Sequence, residues 1–228
     1  MSYFVTGATG FIGRYLVTNL LKRSGTVYVL VRKDSQKKFD AIAKKAGWDP
    51  KRVSVVHGDM TKPKCGLTPA QVRTLSGKVK HFFHLAAIYD LTASAESQRA
   101  ANIDGTQHAL DLAAAIKAGV FHHTSSIAAA GLYPGIFRED MFDEAEGLDD
   151  PYLSTKHDSE GLVRNEKRIK WRIYRPGMVV GHSQTGEMDK IDGPYYFFTL
   201  IKKLREMLPP WMPVLGIEGG RINIVPVD

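Results

Sequence analysis

"TGATGFIG", Thr6 to Gly13, is the stretch on which the fold turns. The apolar run "YFVTG" leads into it and the helically spaced "GRYLVTNLLKR" leads out, so its glycines sit where a strand hands over to a helix. There Gly7 permits a tight turn, Gly10 lets the backbone approach a pyrophosphate, and Gly13 lets helix and strand pack closely. A second apolar run, "TVYVLVR", follows at the distance of a strand–helix–strand unit. The stretch is therefore a dinucleotide-binding turn, with contacts expected from Gly7, Thr9, Gly10, Phe11, Ile12 and Gly13. An acidic residue ending the second strand would grip the ribose 2′-hydroxyl of NAD, whereas "VLVRKD" offers Arg32 and Lys33, which suit a 2′-phosphate. NADP(H) is the expected cofactor. Arg14 fits either a second phosphate ligand or a solvated arginine on the helix surface.

Outward from this turn the pattern repeats. Further runs at "RVSVVHGD", "KHFFHLAA", "GVFHHTSS" and "WRIYRPG" are rich in Val, Ile, Phe and Tyr, and stretches with helical spacing such as "NIDGTQHALDLAAAIKAG" separate them. Near-continuous apolar strands joined by helical crossovers imply an α/β fold, a doubly wound parallel sheet of Rossmann type. The alternation ends after "RPGMVVG". A polar loop precedes "PYYFFTLIKKLREML", where Phe197, Leu200, Ile201, Leu204 and Leu208 follow an amphipathic helix that either packs on the core or lines an apolar channel. The expected division is a dinucleotide-binding domain with the catalytic residues over 1–181 and part of a substrate-binding region over 182–228, within a longer polypeptide.

The bulk properties narrow the function classes. At 228 residues and 43% hydrophobic composition the chain can bury one sizeable core. No basic leader precedes the first strand and no apolar stretch approaches about 18 residues, so a cytoplasmic protein without a membrane span is expected. A single cysteine, Cys65, can form no internal disulfide. The net charge of +7 favours acidic partners. Its basic residues are scattered, without aromatic interleaving or finger-like Cys/His spacing, which points away from nucleic acid and toward phosphorylated small molecules.

"YLSTK" places Tyr152 four residues before Lys156, on one helix face. Nine tyrosines and 18 lysines would produce such a pair by chance about 0.7 times, so its context decides. Taken in order, the glycine loop, "HGDM", "HLAA", "TSS" and "YLSTK" each fall at the end of a strand or open the next helix, and in this the chain resembles the extended short-chain dehydrogenase/reductase superfamily. The resemblance implies that Asp59 and Met60 flank the adenine, that Ala86 and Ala87 line the nicotinamide side, and that Pro176, Gly177 and Met178 add cofactor contacts. It further implies that Tyr152 donates the proton, that Lys156 holds the nicotinamide ribose and lowers the tyrosine pKa, and that a hydroxyl of "TSS" binds the substrate oxygen. Ser126 is preferred to Ser125, since alternating side chains cannot both face the crevice and the pattern of the family places its hydroxyl second. Asn102 is either a supporting hydrogen-bonding group or a buried structural amide.

A narrower resemblance runs through "HLAAIYD", "HHTSSIAAAG", "GIFREDMFDEAE", "YLSTKHDSE" and "GIEGGRINIVPVD", which look like the amino-terminal reductase domain of bacterial fatty acyl-CoA reductases. It implies NADPH-dependent reduction of long-chain acyl-CoA or fatty aldehyde to alcohol. Cys65 lies outside every motif, so hydride transfer is expected to be direct, without an acyl-cysteine. His81 and His84, and likewise His122 and His123, should face opposite sides of their strands, so no metal is expected. His157, beside Lys156, and His182, after "RPGMVVG", could touch substrate, but solvated or packing roles are expected. An apolar substrate and a basic balance leave room for weak association with a membrane surface. The alternatives are a nucleotide-sugar epimerase or dehydratase, for which the same Tyr, Lys and Ser would serve, and an NADP-sensing regulatory module, whose signature would be loss of the Tyr/Lys pair that this chain keeps.

Overall fold

The six apolar runs are six strands. The computed structural model describes residues 1–88, 94–189, 194–209, 211 and 223–228. The strands are β1 (Tyr3–Thr6), β2 (Val27–Val31), β3 (Val53–His57), β4 (His81–His84), β5 (Val120–Thr124) and β6 (Lys170–Tyr174). They form one sheet in the order β3-β2-β1-β4-β5-β6, every neighbour parallel. The chain works outward from β1 to β3 and then returns to the other side, so the switch point lies between β1 and β4. All six carboxyl ends share one edge.

Between the strands run α1 (Phe11–Leu21), α2 (Gln36–Lys45), α3 (Pro69–Leu75), α4 (Ala95–Arg99), α5 (Gly105–Ala115) and α6 (Pro151–Arg164). A π-helical turn, Ala100–Asp104, joins α4 to α5 without a break. That helical run starts earlier than its apolar spacing suggests, because Ser94 accepts the Ser97 N–H and caps it at 3.2 Å. On one face of the sheet Phe4, Phe82 and Phe121 pack with Leu110, Leu112 and Ile116. On the other, Tyr3, Val5, Val27 and Val29 meet Val17, Leu20, Phe39 and Trp48. Burial on both faces is why β1 and β2 carry so few polar positions. The three phenylalanines stack across neighbouring strands, with centroids 4.7 Å and 5.3 Å apart.

Strand register also decides where the histidines go. His84 lies opposite His123 with rings 5.7 Å apart, and the His81 and His122 rings meet at 2.9 Å, with His122 continuing to the Tyr174 hydroxyl at 2.9 Å. Each of these rings thus meets a second histidine on the adjacent strand. Among the described residues no three His, Cys, Asp or Glu side chains gather as a metal site. Nor, among them, is any helix long and apolar enough to cross a membrane.

Two compact units make up the described chain, Met1–Pro176 and Gly177–Asp228. The second contains β7 (Met178–Val180) paired in parallel with β8 (Ile224–Pro226), and α7 (Pro194–Met207). The Gly181 N–H donates to the Tyr195 hydroxyl at 2.6 Å. On α7 the apolar Leu200, Ile201 and Leu204 are exposed, and the Phe197 side chain lies outside the described residues.

Phe82 has no exposed surface, so Phe82→Ala is expected to cost about 3–5 kcal/mol in urea unfolding. A second expectation concerns acid. Burial, aided by the Lys156 charge, pulls His84 down to about 3 and holds His123 well below its ordinary value. An unfolded histidine takes its proton near ~6.5, so below that pH the unfolded chain binds protons that the folded chain refuses. Stability from these two groups is complete above pH ~6.5 and declines as pH falls, by roughly 2 kcal/mol for His84 at pH ~5, with His123 acting in the same direction. Urea midpoints compared at neutral pH and near pH ~5 check this, and equal midpoints would contradict it.

Candidate active site

Thr6, the last residue of β1, starts the site. Its neighbour Gly7 has φ +76° and lies so close to the β4 end that a Cβ would stand 2.7 Å from the Ala86 nitrogen. A Cβ on Gly13 would collide with the Gly7 carbonyl. Gly13 therefore serves close packing between helix and loop, and Gly7 also lets two strand ends approach. Gly10 caps α1 without any side chain, and the first turn of that helix carries no acidic group. This bare, glycine-lined helix start is a cradle with N–H donors for a pyrophosphate, so the residues present fit a dinucleotide.

The other expected cofactor residues leave the same sheet edge. Arg32 follows β2 with its side chain 62% exposed, 3.6 Å from Asp34. Asp59 follows β3. Burial pushes its carboxyl up, but hydrogen bonds from Thr61 and the charges of Arg32 and Lys62 outweigh that and leave it below its ordinary value. Met60 is pinned through its carbonyl by His108 at 2.9 Å, and its methyl fills the space over Gly105. The Ala86 N–H donates to the Thr6 hydroxyl at 3.3 Å, and Ala87 beyond it is exposed. Arg14 lies over the Phe11 and Tyr15 rings at 5.2 and 5.3 Å, against its own helix. Thr9 and Ile12 are half-buried in the loop and the first turn. The Pro176 carbonyl accepts the Ile127 N–H at 3.1 Å, while Gly177 and Met178 belong to the second unit.

At the end of β5, three consecutive residues meet α6. The Thr124 carbonyl accepts from the Lys156 ammonium at 3.1 Å, Ser125 donates to Glu160 at 2.7 Å, and Ser126 hydrogen-bonds the Tyr152 hydroxyl. The two serines thus face different partners. Local sequence makes this possible, because Asp150 caps α6 by accepting from the Tyr152 and Leu153 N–H groups at 2.8 and 3.2 Å, with Pro151 opening the helix. Lys156 is only 4% exposed, and burial draws it down to about 8 against the upward pull of Glu160. Tyr152 does not show the lowering by Lys156 that the superfamily resemblance implies. Burial raises Tyr152 above its ordinary value, the hydrogen bond with Ser126 pulls the other way, and the Lys156 ammonium is turned to the Thr124 carbonyl.

Asn102, in the π-helical turn, is a buried amide that also connects the site. Its oxygen accepts the Ile88 N–H at 2.8 Å, and its nitrogen donates to the Ile88 carbonyl at 2.9 Å and to Thr155 of α6 at 3.2 Å. Thr106 donates to the Asn102 carbonyl at 2.6 Å and accepts from His84, whose other nitrogen meets Thr6 at 2.8 Å. His84 is thereby held as the neutral tautomer with its proton on Nε2. His157 packs: its Nδ1 donates to the Ala129 carbonyl at 2.9 Å and its ring stacks on Phe142 at 4.1 Å. Cys65 is fully buried, and burial, with Asp59 and Asp111 adding, pushes its thiol up to about 12. Sequence reasoning gave no role to Glu160, Arg175, His84 or Thr155, although the four-residue step from Tyr152 through Lys156 reaches Glu160 directly.

Known proteins share this fold and part of this sequence. Aldehyde reductase lnaA of Aspergillus flavus is 30% identical over 99% of this chain and 23% of its own length. The terminal R domain of the myxalamid PKS-NRPS biosynthetic pathway superposes with TM-score 0.79 at 31% identity, over 100% of this chain and 59% of that one. UDP-glucuronic acid 4-epimerase of Bacillus cereus, in complex with UDP-glucuronic acid and NAD, matches with TM-score 0.65 at 27% identity, over 90% of this chain and 63% of that one. The chain spans under a quarter of the length of the first curated relatives it matches. The male sterility protein model of NAD-binding domains matches residues 5–228, and the chain belongs to that family, as a reductase domain of the short-chain dehydrogenase/reductase type.

Proposed function

We propose that this chain carries out NADPH-dependent reduction of an acyl thioester or the corresponding aldehyde, with Ser126, Tyr152 and Lys156 as its catalytic residues. The observation that carries the reading is the meeting of Ser126 with Tyr152, and of Thr124 with Lys156, at the sheet edge where the glycine loop emerges. The cradle at Gly7, Gly10 and Gly13 would hold the pyrophosphate, Asp59 and Met60 the adenine side, and Arg32 a 2′-phosphate, with Arg14 a neighbouring candidate. When bound, the reduced nicotinamide supplies a hydride to a carbonyl carbon. Ser126 and Tyr152 donate to the carbonyl oxygen, and Tyr152 gives it a proton. Lys156 adds positive charge beside the phenol and a donor for the ribose once it leaves the Thr124 carbonyl. One reduction of a thioester leaves aldehyde and thiol; a second reaches the alcohol. The buried Cys65, with its raised pKa, supports direct transfer without an acyl-enzyme.

The division of labour proposed is cofactor and catalysis within 1–181 and substrate recognition from 182 onward. A long-chain fatty acyl group, carried by coenzyme A or as the free aldehyde, is the substrate implied by the motif resemblance. A second reading, an acyl group on a carrier protein, is favoured by the likeness to the R domain of a PKS-NRPS pathway. NADPH oxidation by the intact protein with long-chain acyl-CoA, the matching aldehyde, a carrier-bound acyl thioester and a UDP-sugar separates these readings. Turnover with the UDP-sugar alone would instead support the epimerase-type alternative.

Tyr152→Phe is expected to lower kcat by about 10²- to 10⁴-fold while NADPH binding persists by fluorescence titration. Full activity in that variant would overturn the mechanism. Arg32→Asp should move the NADP-to-NAD preference by about 10- to 100-fold toward NAD, the worth of one charge-assisted hydrogen bond. Unchanged selectivity would remove Arg32 from the 2′-phosphate site.

A further inference from the structure

Glu160 has no exposed surface, yet it keeps its charge, held below its ordinary pKa despite burial by Arg175, Arg164 and Ser125. One oxygen accepts from Ser125 at 2.7 Å and Arg175 Nε at 3.0 Å. The other accepts from Arg164 at 2.8 Å and Arg175 Nη2, with Nε at 3.2 Å. The same guanidinium groups continue outward. Arg175 donates to the carbonyls of Arg138 and Met141 at 3.0 and 2.7 Å, and Arg164 to those of Glu139 and Met141 at 3.3 and 3.5 Å. Phe142, next in that loop, is packed between the His157 ring and the Arg164 guanidinium.

We propose that Glu160 is a positioning residue: through Ser125 and the two arginines it sets the rotation of α6 about its axis, so that Tyr152 and Lys156 face the end of β5. The inference rests on the reading of Tyr152 as proton donor. Tyr152, Lys156 and Glu160 lie four residues apart along one helix stripe about 12 Å long, and their partners are Ser126, Thr124 and Ser125 in turn. Three successive strand-end residues thus grip three successive turns of a helix. Contacts at Tyr152 and Lys156 must loosen for substrate and ribose to be received. The grip at Glu160 has no such duty and can stay closed. A buried ion cluster is often no more stabilising than apolar side chains of equal volume, but its contacts have direction, which apolar packing lacks. A helix turned by about 20° would carry the Tyr152 hydroxyl, several ångströms off the axis, about 2 Å from its place, and displacements near ~1 Å already slow reactions about 10²-fold.

Glu160→Gln would leave two guanidinium groups without their buried counter-charge and threaten folding, so Ser125→Ala carries the test. It is made in the intact protein with NADPH and the best of the thioester or aldehyde substrates, beside wild type, Ser125→Thr and Tyr152→Phe. Ser125→Ala is expected to lower kcat by about 10- to 100-fold, with KM and the NADPH dissociation constant within about twofold and the melting midpoint lowered only by the few degrees that one lost hydrogen bond to a carboxylate costs. Ser125→Thr, which keeps the hydroxyl, should recover most of the loss. Wild-type kcat in Ser125→Ala overturns the positioning role. So does a loss shared by kcat, cofactor affinity and melting midpoint, which would mark Ser125 and Glu160 as structural only. With Tyr152→Phe inactive, either result condemns the positioning role alone. An active Tyr152→Phe removes the proton donor, and the positioning role falls with it.

Discussion

There is no room for a side chain at Gly7 or Gly13, and that exclusion sets the rest of the architecture. The first lets the turn after β1 press against the backbone after β4, and the second lets α1 close down on the turn itself. Two strands on either side of the switch point are thereby brought to a common depth, with Thr6 in register with His84. From that pair a polar line runs through Thr106 and Asn102 to Thr155 on α6. The glycine turn and α6 are tied together through the interior, by groups that have no water to fall back on.

Charge is treated differently at two successive turns of α6. Lys156 is buried with a weakened hold on its proton, whereas Glu160, one turn on, is buried with its charge secured by two arginines. A single apolar core could not keep both. The strand end between them supplies a carbonyl to one and a hydroxyl to the other, an economical use of adjacent residues. Lys156 is thus a group whose partner can change, while Glu160 is saturated.

Much of this was legible in the sequence. The glycine turn, the six strands and the crossover helices follow from short-range periodicity, and short-range periodicity is what a linear sequence displays. The Tyr152/Lys156 stripe is legible for the same reason, since helix spacing alone places both on one side. Features that depend on register between distant segments were not visible. The His81–His122 and His84–His123 pairings arise from the alignment of β4 with β5. Alternation within a strand fixes only the face. The anchoring of the 138–142 loop depends on Arg175, which lies far along the chain and whose neighbours say nothing of its direction. The upward shift of Tyr152 escaped because it balances burial against one hydrogen bond, and burial is a property of the finished fold.

Lys64 and Cys65 both take left-handed backbone angles, with φ of 50° and 55°, and Gly66 follows at 68°. This tight spiral turns the Cys65 carbonyl to the Asp59 N–H at 2.7 Å and its sulfur into the core. As the chain's single cysteine, it is left deaf to maleimides and mild oxidants. A dye coupled through a thiol newly placed on the surface of this chain would therefore have one address, with no need to remove the native sulfur first.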